Sequence, residues 1–153
     1  PVGVQLGGGL KNIVAIAAGI SDGLEMGANA KAALVTRGLD EISALGLLLG
    51  ASEKTFMGLS GMGDIMLSSS DDKSRNRKLG LSIGGGLSFS EAVKLQSGTP
   101  EGAHAIKTLV ENGVVNDKQP VLYSVYQVLY SGIKPSNVAN ELMRRPIKEE
   151  GLR

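Results

Sequence analysis

The stretch Leu10-Lys11-Asn12-Ile13-Val14-Ala15-Ile16-Ala17-Ala18-Gly19-Ile20 decides the fold class. Leu10, Ile13, Val14, Ala17 and Ile20 stand at i, i+3, i+4 and i+7 spacings, and Leu24 extends the series, which predicts a helix with a buried stripe. Gly27 closes that segment, and Asn29 is expected to cap the next one. A second helix is predicted over Ala30–Leu49, carrying Ala33, Leu34, Leu39, Ile42, Leu45 and Leu49 and ending at Gly50. Working outward, Ser52 and Thr55 read as starts of short helical pieces, and Gly58–Gly63 as a tight turn with exposed backbone. Ser74–Ile83 is a helix stopped by Gly84, Gly85 and Gly86. Ser88 and Glu91 have capping-box spacing, so Ser88–Leu95 is helical. After a loop with Gly98 and Pro100 come helices over Gly102–Asn112, Pro120–Tyr130 and Pro135–Arg144, with Ala105, Leu109, Leu122, Val125 and Leu129 as buried positions. The chain holds 22 glycines but only three Tyr, two Phe and no Trp, which argues against strands. There is no internal repeat and no low-complexity linker. The expected architecture is all-α, one compact helical domain over residues 1–153.

Composition narrows the function classes. With 42% hydrophobic and 20% charged residues among 153, a packed core is possible and disorder is not expected. Sixteen Lys and Arg against fifteen Asp and Glu leave +1, so no global basic field draws the protein onto nucleic acid. The absence of Cys removes a disulfide scaffold, a thiolate metal site and a cysteine nucleophile, and fits a reducing compartment such as the cytoplasm. A single histidine, His104, cannot build a histidine metal cage, and no metal is expected. The apolar runs Ile13–Ile20 and Leu45–Gly50 are too short to span a bilayer, and no signal peptide is visible. The chain begins with Pro1 rather than Met, as a piece of a longer protein would.

Three segments can carry chemistry. Gly7-Gly8-Gly9 leaves room for a ligand or another backbone, and Lys11 is expected in the first turn of the helix that follows. An ordinary surface lysine is the competing reading. In Gly58-Leu59-Ser60-Gly61-Met62-Gly63-Asp64 the glycines do not match the dinucleotide fingerprint. Asp64 either caps the following helix or, with Ser68 one turn along, converges on a polar ligand. In Asp71-Asp72-Lys73-Ser74-Arg75-Asn76-Arg77-Lys78, cations crowd a helix N-terminus, where the dipole prefers negative charge. A bound phosphate held by backbone N–H groups, an Asn amide and a guanidinium would relieve that conflict. A solvated charge run, with the two aspartates satisfying the dipole, is the alternative. Asp71 and Asp72 are adjacent and diverge, which disfavours a metal, and His104 reads as a half-exposed helical residue.

Gly8-Gly9-Leu10-Lys11-Asn12, Gly61-Met62-Gly63-Asp64 and Ser74-Arg75-Asn76-Arg77, in that order, resemble the C-terminal domain of bacterial NAD(P)-dependent glycerol-3-phosphate dehydrogenase. The likeness runs over nearly the whole chain, including Arg144-Arg145-Pro146-Ile147-Lys148 near its end. It implies a helical domain of the 6-phosphogluconate dehydrogenase C-terminal-domain-like type, packed in the intact enzyme on an N-terminal Rossmann domain that this chain does not contain. By resemblance Lys11 is the catalytic acid/base and contacts the substrate. Asn12, Asp64, Ser68, Ser74, Arg75 and Asn76 bind glycerol 3-phosphate or dihydroxyacetone phosphate, and Arg75, Thr99 and Glu101 reach NAD or NADP. The family shows an aliphatic residue where Thr99 stands. The resemblance also implies a homodimer, a role in glycerophospholipid synthesis, and a domain nearly inactive without its Rossmann half.

Reducing a ketone to a secondary alcohol needs hydride at carbon and a proton at oxygen, and a lysine ammonium can polarise the carbonyl and give that proton. Oxidation of the alcohol needs the free amine instead, so the residue type suits the reductive direction near neutrality. Two other readings stay open at this point. One is the substrate domain of another hydroxy-acid or sugar-phosphate dehydrogenase; the other is a non-catalytic helical interaction module.

Overall fold

The computed structural model describes residues 2–49 and 71–144, with side chains over 9–49 and 74–144. All regular structure among them is helical: α1 (Val2–Gly23), α2 (Ala28–Leu48), α3 (Asp71–Gly84), α4 (Phe89–Leu95), α5 (Glu101–Glu111), α6 (Pro120–Tyr130) and α7 (Pro135–Arg144).

The first helix is the axis of the fold. It touches α2, α3, α5 and α6, and from Leu10 to Ser21 every residue but Lys11 is buried, with Leu10, Ile13, Val14 and Ile16 fully enclosed. A one-sided stripe was the expectation; instead Ala15, Ile16, Ala18 and Gly19 complete an apolar circumference, as a helix covered on all sides requires. Two further expectations are corrected here. The helix starts at Val2, so Gly7–Gly9 lies inside it and Lys11 sits in its third turn rather than its first. The buried run from Leu10 onward anchors this helix against the ~1 kcal/mol that each interior glycine costs.

Against α1 lies α3, and the two backbones touch. A Cβ at Gly80 would overlap the Ile16 carbonyl oxygen, and one at Gly84 would overlap that of Ile20. From the other side, a Cβ at Gly19 would overlap the Arg77 carbonyl, and one at Gly23 would stand 2.5 Å from that of Leu81. Ile16 is level with Gly80 and Ile20 with Gly84, so both chains run the same way and the helices are parallel. Glycine at each of these positions permits the approach.

Around this pair the other helices are fixed by their ends. Glu41 of α2 accepts from Val121 N (2.9 Å) and Leu122 N (3.0 Å), capping α6 with a negative charge where the dipole favours it. One turn earlier, buried Arg37 donates from Nη1 to the Leu142 carbonyl at 2.6 Å, in the last turn of α7. The Tyr130 hydroxyl donates to the Ala103 carbonyl (2.7 Å) and so ties the end of α6 to α5. Ser88 and Glu91 form the expected capping box on α4. Asn29 is not a cap: α2 begins at Ala28, after Gly27 at φ +98°, a conformation a side chain resists. Past α3, Gly85 and Gly86 close the helix with Leu87 N donating to the Ser82 carbonyl (3.1 Å), a Schellman geometry with Gly86 at φ +123°.

Candidate active site

The parallel crossing sets the level of the residues on it. Lys11 and Arg75 precede Ile16 and Gly80 by the same five residues, so with equal rise per residue they come to the same height on neighbouring helices. Asn12 and Asn76 follow each of them and are both buried, at 8% and 0% exposure. Lys11 and Ser74 are half-buried and Arg75 is exposed.

A third element closes on this level. The amide of Gly102, at the start of α5, donates to Asn76 Oδ1 at 2.8 Å. A Cβ on Gly102 would lie 2.6 Å from that oxygen, 2.9 Å from the Asn12 carbonyl oxygen and 2.9 Å from Ile16 Cδ1. Three helices therefore converge on one glycine. The loop before it folds over Arg75: Gln96 Nε2 donates to the Arg75 carbonyl at 3.0 Å, and Arg75 Nη2 would be 3.3 Å from a Cβ on Gly98. Ser97 and Gly98 turn this corner at φ +60° and +139°. Half-buried Thr99 and exposed Glu101 stand in the chain between Gly98 and Gly102, the two glycines at this level.

The structure thus brings Asn12, Arg75 and Asn76 together with Gly98 and Gly102, which flank Thr99 in the loop and Glu101 at the start of α5. Ser74 is on the same turn of α3. Asp64 and Ser68 lie outside the described residues. The basic run divides. Arg77 leaves the site level and donates to Asp22 Oδ2 at 3.0 Å, where Lys31 also arrives at 3.0 Å, and Lys78 is exposed. Burial pushes the Asp22 carboxyl up, but hydrogen bonds from Lys31 and Arg77 together outweigh it and hold the group below the ordinary carboxylate range. Sequence reading assigned no role to Gln96, Gly98 or Gly102. The Gly98-Thr99-Pro100-Glu101-Gly102 spacing, with glycine inside a helix start, was the available sign of a close backbone approach.

A guanidinium beside an Asn amide supplies donors suited to a phosphate, and the half-buried lysine supplies an ammonium at the same height. The guanidinium, hydroxyl and carboxylate of Arg75, Thr99 and Glu101 suit the anionic and hydroxyl-bearing edge of a dinucleotide. Among the described residues no three His, Cys, Asp or Glu side chains are grouped to hold a metal ion, and no helix is long and apolar enough to cross a membrane.

Known proteins share this sequence and fold. Residues 1–140 match the family described as NAD-dependent glycerol-3-phosphate dehydrogenase C-terminus. A glycerol-3-phosphate dehydrogenase [NAD(P)+] of Nitrosococcus oceani is 49% identical over 150 residues, covering 97% of this chain and 44% of the relative. One from Francisella tularensis subsp. novicida is 45% identical over 152 residues, covering 97% and 45%. The crystal structure of glycerol-3-phosphate dehydrogenase from Coxiella burnetii superposes with a TM-score of 0.82 at 39% identity, covering 94% of this chain and 45% of that one. A Plasmodium falciparum glycerol-3-phosphate dehydrogenase shares the fold, with a TM-score of 0.72 at 21% identity. The chain thus spans a little under half the length of these curated relatives. By the match over residues 1–140, the chain belongs to the family of C-terminal domains of NAD-dependent glycerol-3-phosphate dehydrogenase.

Proposed function

We propose that residues 1–153 form the substrate-binding domain of an NAD(P)-dependent glycerol-3-phosphate dehydrogenase that interconverts dihydroxyacetone phosphate and sn-glycerol 3-phosphate. The observation that carries this reading is the common height of Lys11–Asn12 and Arg75–Asn76 on two helices whose backbones touch. Arg75, Ser74 and Asn76 bind the phosphate, while Asn12, Asp64 and Ser68 serve the polyol. Lys11 gives its ammonium proton to the ketone oxygen as that atom becomes a hydroxyl, leaving a neutral amine; in the oxidative direction the amine takes the proton back. When bound, the nicotinamide cofactor supplies or receives the hydride at the carbonyl carbon. Arg75, Thr99 and Glu101 steady its edge, and a Rossmann half outside this chain holds the rest. The proposal extends to a cytoplasmic homodimer supplying glycerol 3-phosphate for phospholipid synthesis.

The test is Lys11→Ala in the full-length enzyme. Reduction of dihydroxyacetone phosphate should fall by at least ~10²-fold, with partial recovery on adding small primary amines, while the substrate still binds. Undiminished turnover would remove Lys11 from the chemistry. A panel of hydroxy acids and other sugar phosphates decides against the related-dehydrogenase alternative if turnover is confined to the three-carbon phosphate.

A further inference from the structure

The contact between Gly102 and Asn76 joins two groups of residues with different ligands. On one side are Arg75 and Asn76, which take the substrate's phosphate in the reading above, Arg75 also meeting the dinucleotide's edge; on the other are Thr99 and Glu101, which take the dinucleotide alone. The inference rests on that reading. Asn76 is fully buried, and its amide oxygen receives the Gly102 N–H at 2.8 Å. That N–H belongs to the first turn of α5, where no intrahelical acceptor exists, so the side chain replaces a cap that Pro100 cannot provide. On its other side, Gly102 stands against the Asn12 carbonyl, one residue from Lys11, and against Ile16 Cδ1. A Cβ at this position would come within 2.9 Å of all three groups, and two of them are a fixed backbone carbonyl and a buried, hydrogen-bonded oxygen. The carbonyl cannot withdraw without moving α1, and the amide oxygen can rotate away only by giving up its bond to Gly102.

We propose that Gly102 and the Asn76 amide oxygen form a strut that sets the distance between the phosphate contacts and the dinucleotide contacts, making Gly102 a positioning residue of the dehydrogenase. Any side chain at 102 pushes the start of α5 away from α1 and α3, and carries Thr99 and Glu101 with it. The two ligands then no longer meet at the separation that hydride transfer needs, a geometry in which displacements near 1 Å are costly.

The experiment uses the full-length enzyme and reads KM for dihydroxyacetone phosphate and for the reduced dinucleotide separately. Gly102→Ala is expected to raise both by about tenfold or more and to lower kcat. Asn76→Leu, which removes the acceptor, should also raise both. Asn76→Asp keeps an acceptor for the Gly102 N–H but places a negative charge by the phosphate, so it should raise only the substrate KM. His104→Ala, on the exposed face of α5, should change neither. A purely structural role for the glycine would lower the melting temperature and the amount of active enzyme, leaving both KM values as they are; that result overturns the proposal. If Gly102→Ala does not accumulate, the Asn76 pair decides. A dinucleotide KM raised by Leu and spared by Asp supports the strut, and one unmoved by Leu refutes it. Failure of the dehydrogenase reading would show itself differently, as wild-type enzyme that does not turn over this substrate at all.

Discussion

Arg75 and Arg77 stand two positions apart on α3 and have different tasks. The guanidinium of Arg75 lies beside Gly98 at the site level, whereas Arg77 is drawn to Asp22. Arg75→Ala should therefore raise the KM for the phosphorylated substrate about 10- to 100-fold, the loss of one charge-assisted pair, in steady-state kinetics of the full-length enzyme. Arg77→Ala should leave that KM within about twofold and act on stability. Asp22 makes the stability effect pH-dependent. Its carboxyl titrates below the ordinary range in the folded chain, so its contribution is present above the unfolded value and lost as pH falls through the folded one. Asp22→Asn is expected to cost about 1 kcal/mol or less near pH 7, because the pair is partly solvated, and nothing below the carboxylate range. Denaturant midpoints at neutral and acidic pH check both limbs. From sequence, the Ser74–Lys78 run could be read as basic, but not as divided: the division depends on Asp22, more than fifty residues earlier, reaching Arg77 across the helix crossing.

Among the elements, the helices were legible because their punctuation is local. Ser88 with Glu91, Pro120 and Pro135 mark starts that the structure keeps at α4, α6 and α7. What the sequence did not announce is what a distant element supplies. Glu41, on α2, caps α6 from 80 residues away, and nothing near Gln119 announces it. Glu41→Ala should destabilise the chain by about 1–2 kcal/mol, read as a lowered melting temperature, since two N–H groups lose their acceptor. The crossing gives a sharper case. Gly80→Ala gains about 1 kcal/mol of helix propensity, yet its Cβ would overlap the Ile16 carbonyl oxygen. The overlap wins, and a net loss of about 3 kcal/mol or more is expected in equilibrium unfolding. The extension of α1 back to Val2 also escaped prediction, because Gly7–Gly9 read alone looks like a break.

For the molecule as a whole, the residues proposed as proton donor, phosphate ligands and dinucleotide contacts reside on a chain covering 44–45% of its curated relatives. The 153-residue chain alone should bind reduced dinucleotide too weakly to measure by fluorescence, and joining it to a Rossmann half should restore binding and turnover together. What the sequence could convey about the site was its residue types and their order. The height at which they meet was hidden, because it follows from where two backbones can touch. That touching has a mechanical consequence. Two rods in direct main-chain contact have no layer of side chains to shear, so α1 and α3 slide or tilt only as one body. In the proposed dehydrogenase, any displacement of this pair therefore moves Lys11 and Arg75 together.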